Sequence, residues 1–274
     1  MHFRRSRRSP GKKLSATKTL AFVLKKQDYR DTSLLADFYT KDFGRVRGIV
    51  KGIRDARARF GSTLEPFSLN EILFYRRRKG ADLHLVTQVD MIDLFDAVRD
   101  DLERLATASY CVELVAELVE SGESAPEIFD LIHDTLKFLS SGASSKRAAR
   151  IFEVKLFDIL GLMPEIRECV FCRASSSLTT SNAGTVYFNQ TLGGIHCQDC
   201  LAKQKQLLGG TSFPVSLGAI HFLNHVRRDP VSELYPVKVT REVGEEVEKI
   251  LRRFTDFHLN HKLKTLIFME KIGV

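Results

Sequence analysis

Residues 44–67, GRVRGIVKGIRDARARFGSTLEPF, decide the predicted fold of the amino-terminal part of the chain. The stretch opens as a β-strand, because Val46 and Val50 alternate with residues that are mostly cationic. These alternating residues are Arg45, Arg47, Ile49 and Lys51. One face can therefore enter a core while the other stays largely positive. A solvated strand edge, charged to discourage aggregation, is the simpler alternative.

A basic loop is predicted directly after this strand, from Gly52 to Gly61. It carries three arginines, Arg54, Arg57 and Arg59, against the single acid Asp55. Phe60 could stack on a flat partner. Cationic side chains with an interleaved aromatic are suited to a groove that follows a phosphate chain. The stretch as a whole therefore indicates nucleic-acid binding.

Four further strands are predicted around this one, between residues 17 and 93. They are marked by Leu20, Phe22 and Leu24; by Leu34, Ala36 and Phe38; by Phe67, Leu69, Leu73 and Tyr75; and by Leu83, Leu85, Thr87 and Val89. Five short strands with glycines at the bends favour a small closed barrel of the oligonucleotide/oligosaccharide-binding (OB) type, with an SH3-like barrel as the alternative. Arg76, Arg77, Arg78 and Lys79 fall in the last turn, which is a ligand-contacting loop in many OB barrels or simply a charged hairpin tip.

Residues 94–274 are predicted to be helical, so the fold class is α+β. Apolar residues three and four apart predict helices from Leu102 to Val119 and from Ile128 to Leu139. A capping box of Ser124 and Glu127 would begin the second of these. A third helix, from Ser145, is apolar on most sides and is predicted to be central. Further helices are predicted over 215–228, 243–257 and 261–271.

The net charge of +8 is unevenly distributed. Residues 1–80 hold 21 Lys and Arg against 7 Asp and Glu, whereas residues 81–274 hold 21 against 27. The basic part is complementary in charge to an acidic polymer. The mildly acidic remainder argues against non-specific binding by the whole surface. Residues 1–16 are predicted to be a flexible basic arm that contains no acidic residue. A mitochondrial presequence has a similar composition and is the alternative. No apolar run approaches the ~20 residues of a membrane span.

Four of the five cysteines form two C-x-x-C pairs, Cys169 with Cys172 and Cys197 with Cys200, separated by 24 residues. This spacing is typical of a zinc ribbon inserted at 165–204. Since thiolates would occupy all four positions of the ion, the predicted zinc is structural rather than catalytic. Two disulfides or an iron–sulfur cluster are the alternatives. The fifth, Cys111, is predicted to be a small core residue.

The remaining candidates for chemistry are weak, and the sequence predicts no enzyme. His258 and His261 lie three apart on a helix but lack an acidic partner, and His196 is not needed beside four cysteines. No glycine-rich phosphate loop, G-x-S-x-G elbow or H-E-x-x-H motif occurs.

The order of these parts resembles the RecO family of bacterial recombination mediators. The likeness rests on LKKQDYRDTSLL (24–35), FGRVRGIVKG (43–52), RFGSTLEPF (59–67), CVFC (169–172), YFNQTLGGIHCQDC (187–200) and the tail FHLNHKLKTLIFMEKI (257–272). It spans nearly the whole chain after the arm. The long arm itself departs from the family pattern.

The resemblance implies an amino-terminal OB fold that binds single- and double-stranded DNA and anneals complementary strands. It also implies that the protein acts with RecR and the single-stranded DNA-binding protein SSB to load RecA onto gaps and breaks. The implied location is the cytoplasm, in association with the nucleoid. No nucleotide cofactor is implied. Some relatives lack the zinc ligands, which suggests that the metal stabilises the protein.

Both lines of argument predict phosphate contacts by the cations of the barrel. The predicted set is Lys25, Lys26, Arg30, Arg45, Arg47, Lys51, Arg54, Arg57, Arg59, Arg76, Arg77, Arg78 and Lys79. An RNA-binding or ribosome-associated adaptor with a zinc site is the alternative function. A zinc-dependent processing enzyme is disfavoured by the closed thiolate site.

Overall fold

Five strands close into a barrel at the amino-terminal end of the computed structural model. The structure describes residues 16–29, 33–51, 64–75, 83–122, 124–174, 185–204, 211–234, 236–259 and 261–273. The strands are β1 (Ala16–Tyr29), β2 (Ser33–Thr40), β3 (Gly44–Lys51), β4 (Leu69–Tyr75) and β5 (His84–Asp93). The predicted arm lies outside the described residues except for Ala16, which begins β1.

The strand order around the barrel is β1-β2-β3-β5-β4, and β4 pairs with β1 to close it. All neighbours are antiparallel except β3 and β5, which are parallel. A five-stranded barrel of this kind is OB-like, as the sequence predicted. The prediction of five strands is confirmed.

The middle of the long first strand, residues 21–24, is buried on both faces. Ala21 and Val23 point into the barrel, while Phe22 and Leu24 pack outside it against the helices. The Phe22 and Phe129 ring centroids lie 4.8 Å apart. The outward apolar residues of this strand therefore attach the helices to the barrel.

Strands β4 and β5 differ in detail from the prediction. Their inward residues are Ile72, Phe74, Val86 and Val89, and of these the predicted sets contained Val89 alone. The register shifts where Leu73 opposes Gln88 but Phe74 opposes Val86. The extra residue, Thr87, is a bulge that reverses the faces of β5, which an unbroken period of two cannot describe. In β4 the inward residues keep a period of two, one residue out of step with the predicted Leu73 and Tyr75.

Four helices follow the barrel: α1 (Asp96–Arg99), α2 (Leu102–Leu118), α3 (Pro126–Ser140) and α4 (Ser145–Ile159). Helix α4 is central, as predicted, because it lies between two apolar cores. Phe152 and Leu156 belong to the core shared with α2, α3 and the barrel. Val154 and Phe157 belong to the second core, on the other side of the helix.

The predicted capping box at the start of α3 is wrong. The N-cap is Ala125, without a side-chain bond, and Pro126 occupies the first turn. The Ser124 hydroxyl instead donates to the Asp42 carbonyl oxygen at 3.3 Å. Proline is favoured in the first turn because it has no N–H that would need a partner there.

A second sheet, which the sequence did not predict, carries the second cysteine pair. Its strands are β6 (Thr185–Asn189), β7 (Gly194–His196) and β8 (Phe213–Ser216), in the order β7-β6-β8. The helix predicted from residue 215 therefore begins later, at Leu217. Ser216 is its N-cap and accepts a bond from the Ala219 N–H.

Most of the remaining helices pack into one of the two cores. They are α5 (Gln198–Lys203), α6 (Leu217–Arg228), α7 (Val231–Leu234), α8 (Arg241–Leu259) and α9 (Lys264–Ile272). Helix α8 contributes a buried stripe of Val247, Ile250, Leu251 and Phe254. None of the helices in the described ranges combines the length and the apolar character needed to cross a bilayer.

A polar cluster is buried where α2 meets α4. The Tyr110 hydroxyl donates to the Glu153 carboxylate, whose other oxygen lies 3.1 Å from Nε of Arg150. Burial raises the pKa of Tyr110, and the neighbouring Glu153 adds to that rise. Cys111, beside this cluster, is 3% exposed, so its predicted place in the core is confirmed.

Candidate nucleic-acid interface and metal centre

Strands β1, β2 and β3 present one outward face of the barrel with a row of polar residues. Lys25 opposes Asp37 across β1 and β2, and Asp37 opposes Arg47 across β2 and β3. Directly paired residues point to the same side of a sheet, so all three lie on this face. Lys51 follows on the same side of β3, since side chains alternate with a period of two. We call Lys25, Arg47 and Lys51 the barrel cations.

The barrel cations are exposed to solvent. Arg47 is 46% exposed at its side chain and contacts Asp37 at 3.2 Å, from Nε to Oδ1. The sequence analysis missed Asp37 as a partner, although its place in the alternation of β2 could have revealed it. Asp37 orients Arg47 and offsets part of its charge, while Lys25 and Lys51 leave the face positive.

Arg45 occupies a different setting from its neighbours on β3. Its Nη2 lies 3.1 Å from Oδ2 of Asp37, and its Nη1 donates to the Val119 carbonyl oxygen at 2.9 Å. Val119 ends helix α2, so Arg45 joins the barrel to the helices. Tyr39 makes a parallel link, because its hydroxyl donates to the Ala125 carbonyl oxygen at 2.9 Å.

Lys26 lies on the opposite side of β1 from Lys25. It pairs across the ladder with Ala36, which faces the barrel interior. Its Nζ donates to Oε1 of Glu65 at 2.8 Å. The structure therefore separates Lys26 from the row of barrel cations.

The other predicted phosphate contacts lie outside the described residues. Arg30 belongs to the connection between β1 and β2; Arg54, Arg57 and Arg59 follow β3; and Arg76, Arg77, Arg78 and Lys79 connect β4 to β5. In OB barrels the ligand crosses the face of strands 2 and 3 and is bordered by the loops 1–2 and 4–5. By chain position, Arg30 and the run 76–79 belong to connections of that kind, whereas Arg54, Arg57 and Arg59 belong to the connection between β3 and β4.

Arg45 and Arg47 provide a matched pair of tests, because both contact Asp37. We expect Arg45→Gln to lower the free energy of unfolding by about 1.5–3 kcal/mol, since it loses charged hydrogen bonds between the barrel and α2. Arg47→Gln is expected to change stability by less than about 0.5 kcal/mol. It should instead make the salt dependence of the predicted nucleic-acid binding shallower by about 0.7–0.9 per contact. Chemical unfolding measures the stability of each variant, and a salt titration measures the salt dependence of its binding. A stability loss in Arg47→Gln together with a shallower salt dependence in Arg45→Gln would show that the two arginines have the opposite roles.

The two cysteine pairs meet at one point beside the second sheet. Their four sulfur atoms all lie within 4.8 Å of one another, and the Cys172 and Cys197 sulfurs are 3.8 Å apart. Four sulfurs at tetrahedral corners, each ~2.3 Å from a zinc ion, would be about 3.8 Å apart. The donor set and its spacing therefore fit a structural metal ion.

Backbone hydrogen bonds hold the two knuckles side by side. The Val170 N–H donates to the Ile195 carbonyl oxygen at 2.9 Å, and the Ile195 N–H donates to the Glu165 carbonyl oxygen at 2.8 Å. Gly194 allows this approach, because a Cβ atom there would lie 2.5 Å from the same Glu165 oxygen. A side chain at this position would force the knuckles apart.

Local hydrogen bonds also tune the thiols. Burial raises the pKa of Cys169, but N–H groups of Cys172, Cys197 and Phe171 outweigh it and lower that pKa to about 7. Burial and the neighbouring sulfurs raise the pKa of Cys200 instead. Four thiolates this close repel one another, so a cation at their centre would compensate the charge.

The candidate histidines have partners other than a metal ion. The His196 ring is fully buried, its Nε2 lies 2.9 Å from the Ser212 hydroxyl, and it stacks on Tyr187. His261 places Nδ1 2.7 Å from the Leu259 carbonyl oxygen. Among the described residues, the four cysteines form the one group of potential metal ligands.

The chain matches two family models over most of its length. Residues 14–95 match "Recombination protein O N terminal", and residues 99–267 match "Recombination protein O C terminal". The chain belongs to the RecO family. The N-terminal match coincides with the barrel, and the C-terminal match with the helices and the cysteine-bearing sheet.

Several curated members of the RecO family are similar to the chain along its length. The protein named DNA repair protein RecO from Anaeromyxobacter sp. is 30% identical over 260 residues, covering 95% of this chain and 98% of its own. The same name belongs to proteins of Syntrophus aciditrophicus, 29% identical over 93% and 95%, and Pelotomaculum thermopropionicum, 28% identical over 92% and 93%. Membership in this family places the chain among DNA repair proteins.

Proposed function

We propose that the protein is a DNA-binding recombination mediator that binds single and double strands and anneals complementary strands. The observation that best supports this proposal is the row of barrel cations on the β1–β2–β3 face, because OB barrels bind nucleic acid on this face. Charges that track a backbone position a strand without reading its sequence.

Annealing follows from the same charges. Two complementary strands repel each other through their phosphates, and cations that neutralise both lower that barrier. Lys25 and Lys51 supply such charges from the described face, and Arg47 adds part of its own. Arg30, Arg54, Arg57, Arg59 and the run 76–79 extend the set in the connections.

Family membership supports the proposed partners. The protein would act with RecR and SSB, and through them help RecA assemble on gaps and breaks, within the cytoplasm and on the nucleoid. No step in this proposal breaks a covalent bond, so the protein would act without enzymatic turnover.

The metal in this proposal is zinc, held by Cys169, Cys172, Cys197 and Cys200. An all-thiolate tetrahedral set is typical of structural zinc sites. The ion would hold the two knuckles together. Since all four positions would be filled by protein, it would leave none for water or substrate.

Binding to DNA and RNA of the same sequence tests the function against an RNA-binding adaptor. We expect single-stranded DNA to bind at least as tightly as RNA, with log K falling steeply as log salt rises because phosphates are neutralised. Fluorescence anisotropy across a salt series at fixed protein concentration measures both. A clear preference for RNA would move the assignment to the adaptor.

A further inference from the structure

Helix α8 carries two cations that share one aromatic ring. Nζ of Lys249 lies 4.5 Å from the centroid of the Phe213 ring, and Cζ of Arg253 lies 4.6 Å from the same centroid. The two residues are four apart on the helix and both are exposed. Like charges at this spacing disfavour a helix.

The acidic residues around this pair are mostly engaged elsewhere. Glu245 pairs with Arg241 at 2.7 Å, and Glu248 pairs with Arg252 at 3.1 Å. Glu246 accepts the Ser216 N–H at 2.9 Å, at the start of α6.

Asp256, one turn beyond Arg253, is the remaining nearby acid on the helix. Within the described part of the chain, no ion pair joins an acid to Lys249 or Arg253. The pair therefore keeps its positive charge available to a ligand.

The ring beneath the pair is held by the cysteine-bearing sheet. Phe213 opposes Phe188 across β6 and β8. The preceding Ser212 hydroxyl lies 2.9 Å from Nε2 of His196, which directly precedes Cys197. Phe213 is 6% exposed, so its ring is a fixed platform rather than a mobile side chain.

We propose that Lys249 and Arg253, held over Phe213, form a second phosphate-contacting site on the helical part of the protein. Since each cation lies within 4.6 Å of one ring centroid, the two are no more than about 9 Å apart. That span suits one phosphate or neighbouring phosphates of a strand, which advance ~3.4 Å per nucleotide along a duplex. The proposal rests on the proposed DNA-binding function and extends it.

A protein with two phosphate-contacting sites should bind long DNA more tightly than short DNA. A strand of about 10 nucleotides fits within the range of a single OB barrel, whereas one of about 40 nucleotides can reach a second site. The Lys249→Gln/Arg253→Gln variant should bind the short strand like wild type. It should bind the long strand roughly 5- to 10-fold more weakly at low salt, with a salt slope shallower by about 1–1.5.

The matched control is Lys264→Gln/Lys271→Gln, which removes two exposed positive charges from helix α9. Both double variants should keep the wild-type unfolding midpoint and metal content, because glutamine preserves the helix. The control should bind both strands like wild type. This comparison separates a local site from a loss of overall charge.

The outcomes of this experiment separate the second site from the proposed function. If wild type binds neither strand, the DNA-binding function itself is refuted. If wild type binds and the two double variants behave alike, or if the short strand is weakened as much as the long one, the second site is refuted. Unchanged DNA binding with weaker binding of a polyglutamate probe would also overturn it, in favour of an acidic protein partner.

Discussion

The Cys197→Ser variant is expected to bind metal weakly and to unfold at a much lower temperature than the wild type. A serine hydroxyl replaces one of four thiolates around the proposed zinc ion. Structural zinc contributes on the order of 10 kcal/mol of binding free energy to folding, so losing one ligand should forfeit several kcal/mol. The Cys197 sulfur also accepts the Cys200 N–H at the start of α5.

Metal content and thermal unfolding, each with and without a chelator, measure this prediction. The matched control is Cys111→Ala, which removes a buried thiol far along the chain from the knuckles and should retain the metal. Wild type treated with chelator should approach the midpoint of Cys197→Ser, whereas the variant itself should respond little. A Cys197→Ser protein with full metal content and an unchanged midpoint would refute the structural metal.

The same variant also separates a structural metal from a functional one. The barrel has its own core, including Val23, Phe38 and Ile72, so it should outlast the helical part on heating. Below the first transition, DNA binding by the barrel should persist. A Cys197→Ser protein that folds normally but cannot anneal strands would contradict the stabilising role.

Replacing Arg54, Arg57 and Arg59 together with Ala is expected to weaken DNA binding by roughly a hundredfold at low salt. Each arginine would neutralise one phosphate and release its counterions. The slope of log K against log salt should therefore become shallower by about 2 for single strands. The prediction rests on sequence, since the three arginines lie outside the described residues.

The control for this triple variant removes three exposed lysines of the helical part, Lys203, Lys264 and Lys271. It makes the same change in net charge, so a general effect of charge would weaken both variants equally. Anisotropy titrations at several salt concentrations compare them. If the triple arginine variant kept the wild-type affinity and the wild-type slope of log K against log salt, Arg54, Arg57 and Arg59 would not belong to the interface.

The strands and most helices could be predicted because their apolar periods are strong. The alternation in β3 and the stripe of α8 each match a single buried face. The predictions failed where local patterns were interrupted. The bulge at Thr87 reverses the faces of β5, and the short strands β7 and β8 offer too few residues to show a period.

The clustering of the four cysteines could be predicted from spacing alone, since two C-x-x-C pairs need only a sheet to bring them together. The role of Arg45 could not, because it depends on the end of α2, which is 74 residues away. Charge on a strand face does not distinguish a cation that contacts a ligand from one that contacts a neighbouring helix. The burial of Arg150 and Glu153 on the central helix could not be predicted either, because Tyr110, which donates to Glu153, is 43 residues away in the chain.

Annealing of complementary single strands coated with SSB tests the central claim most directly. The protein is added to the coated strands, and duplex formation is followed across a salt series against strands with SSB alone. We predict annealing that outpaces the SSB control and fades as salt rises, with the triple arginine variant defective. A folded, metal-loaded protein that leaves the rate at that of the control would contradict the account.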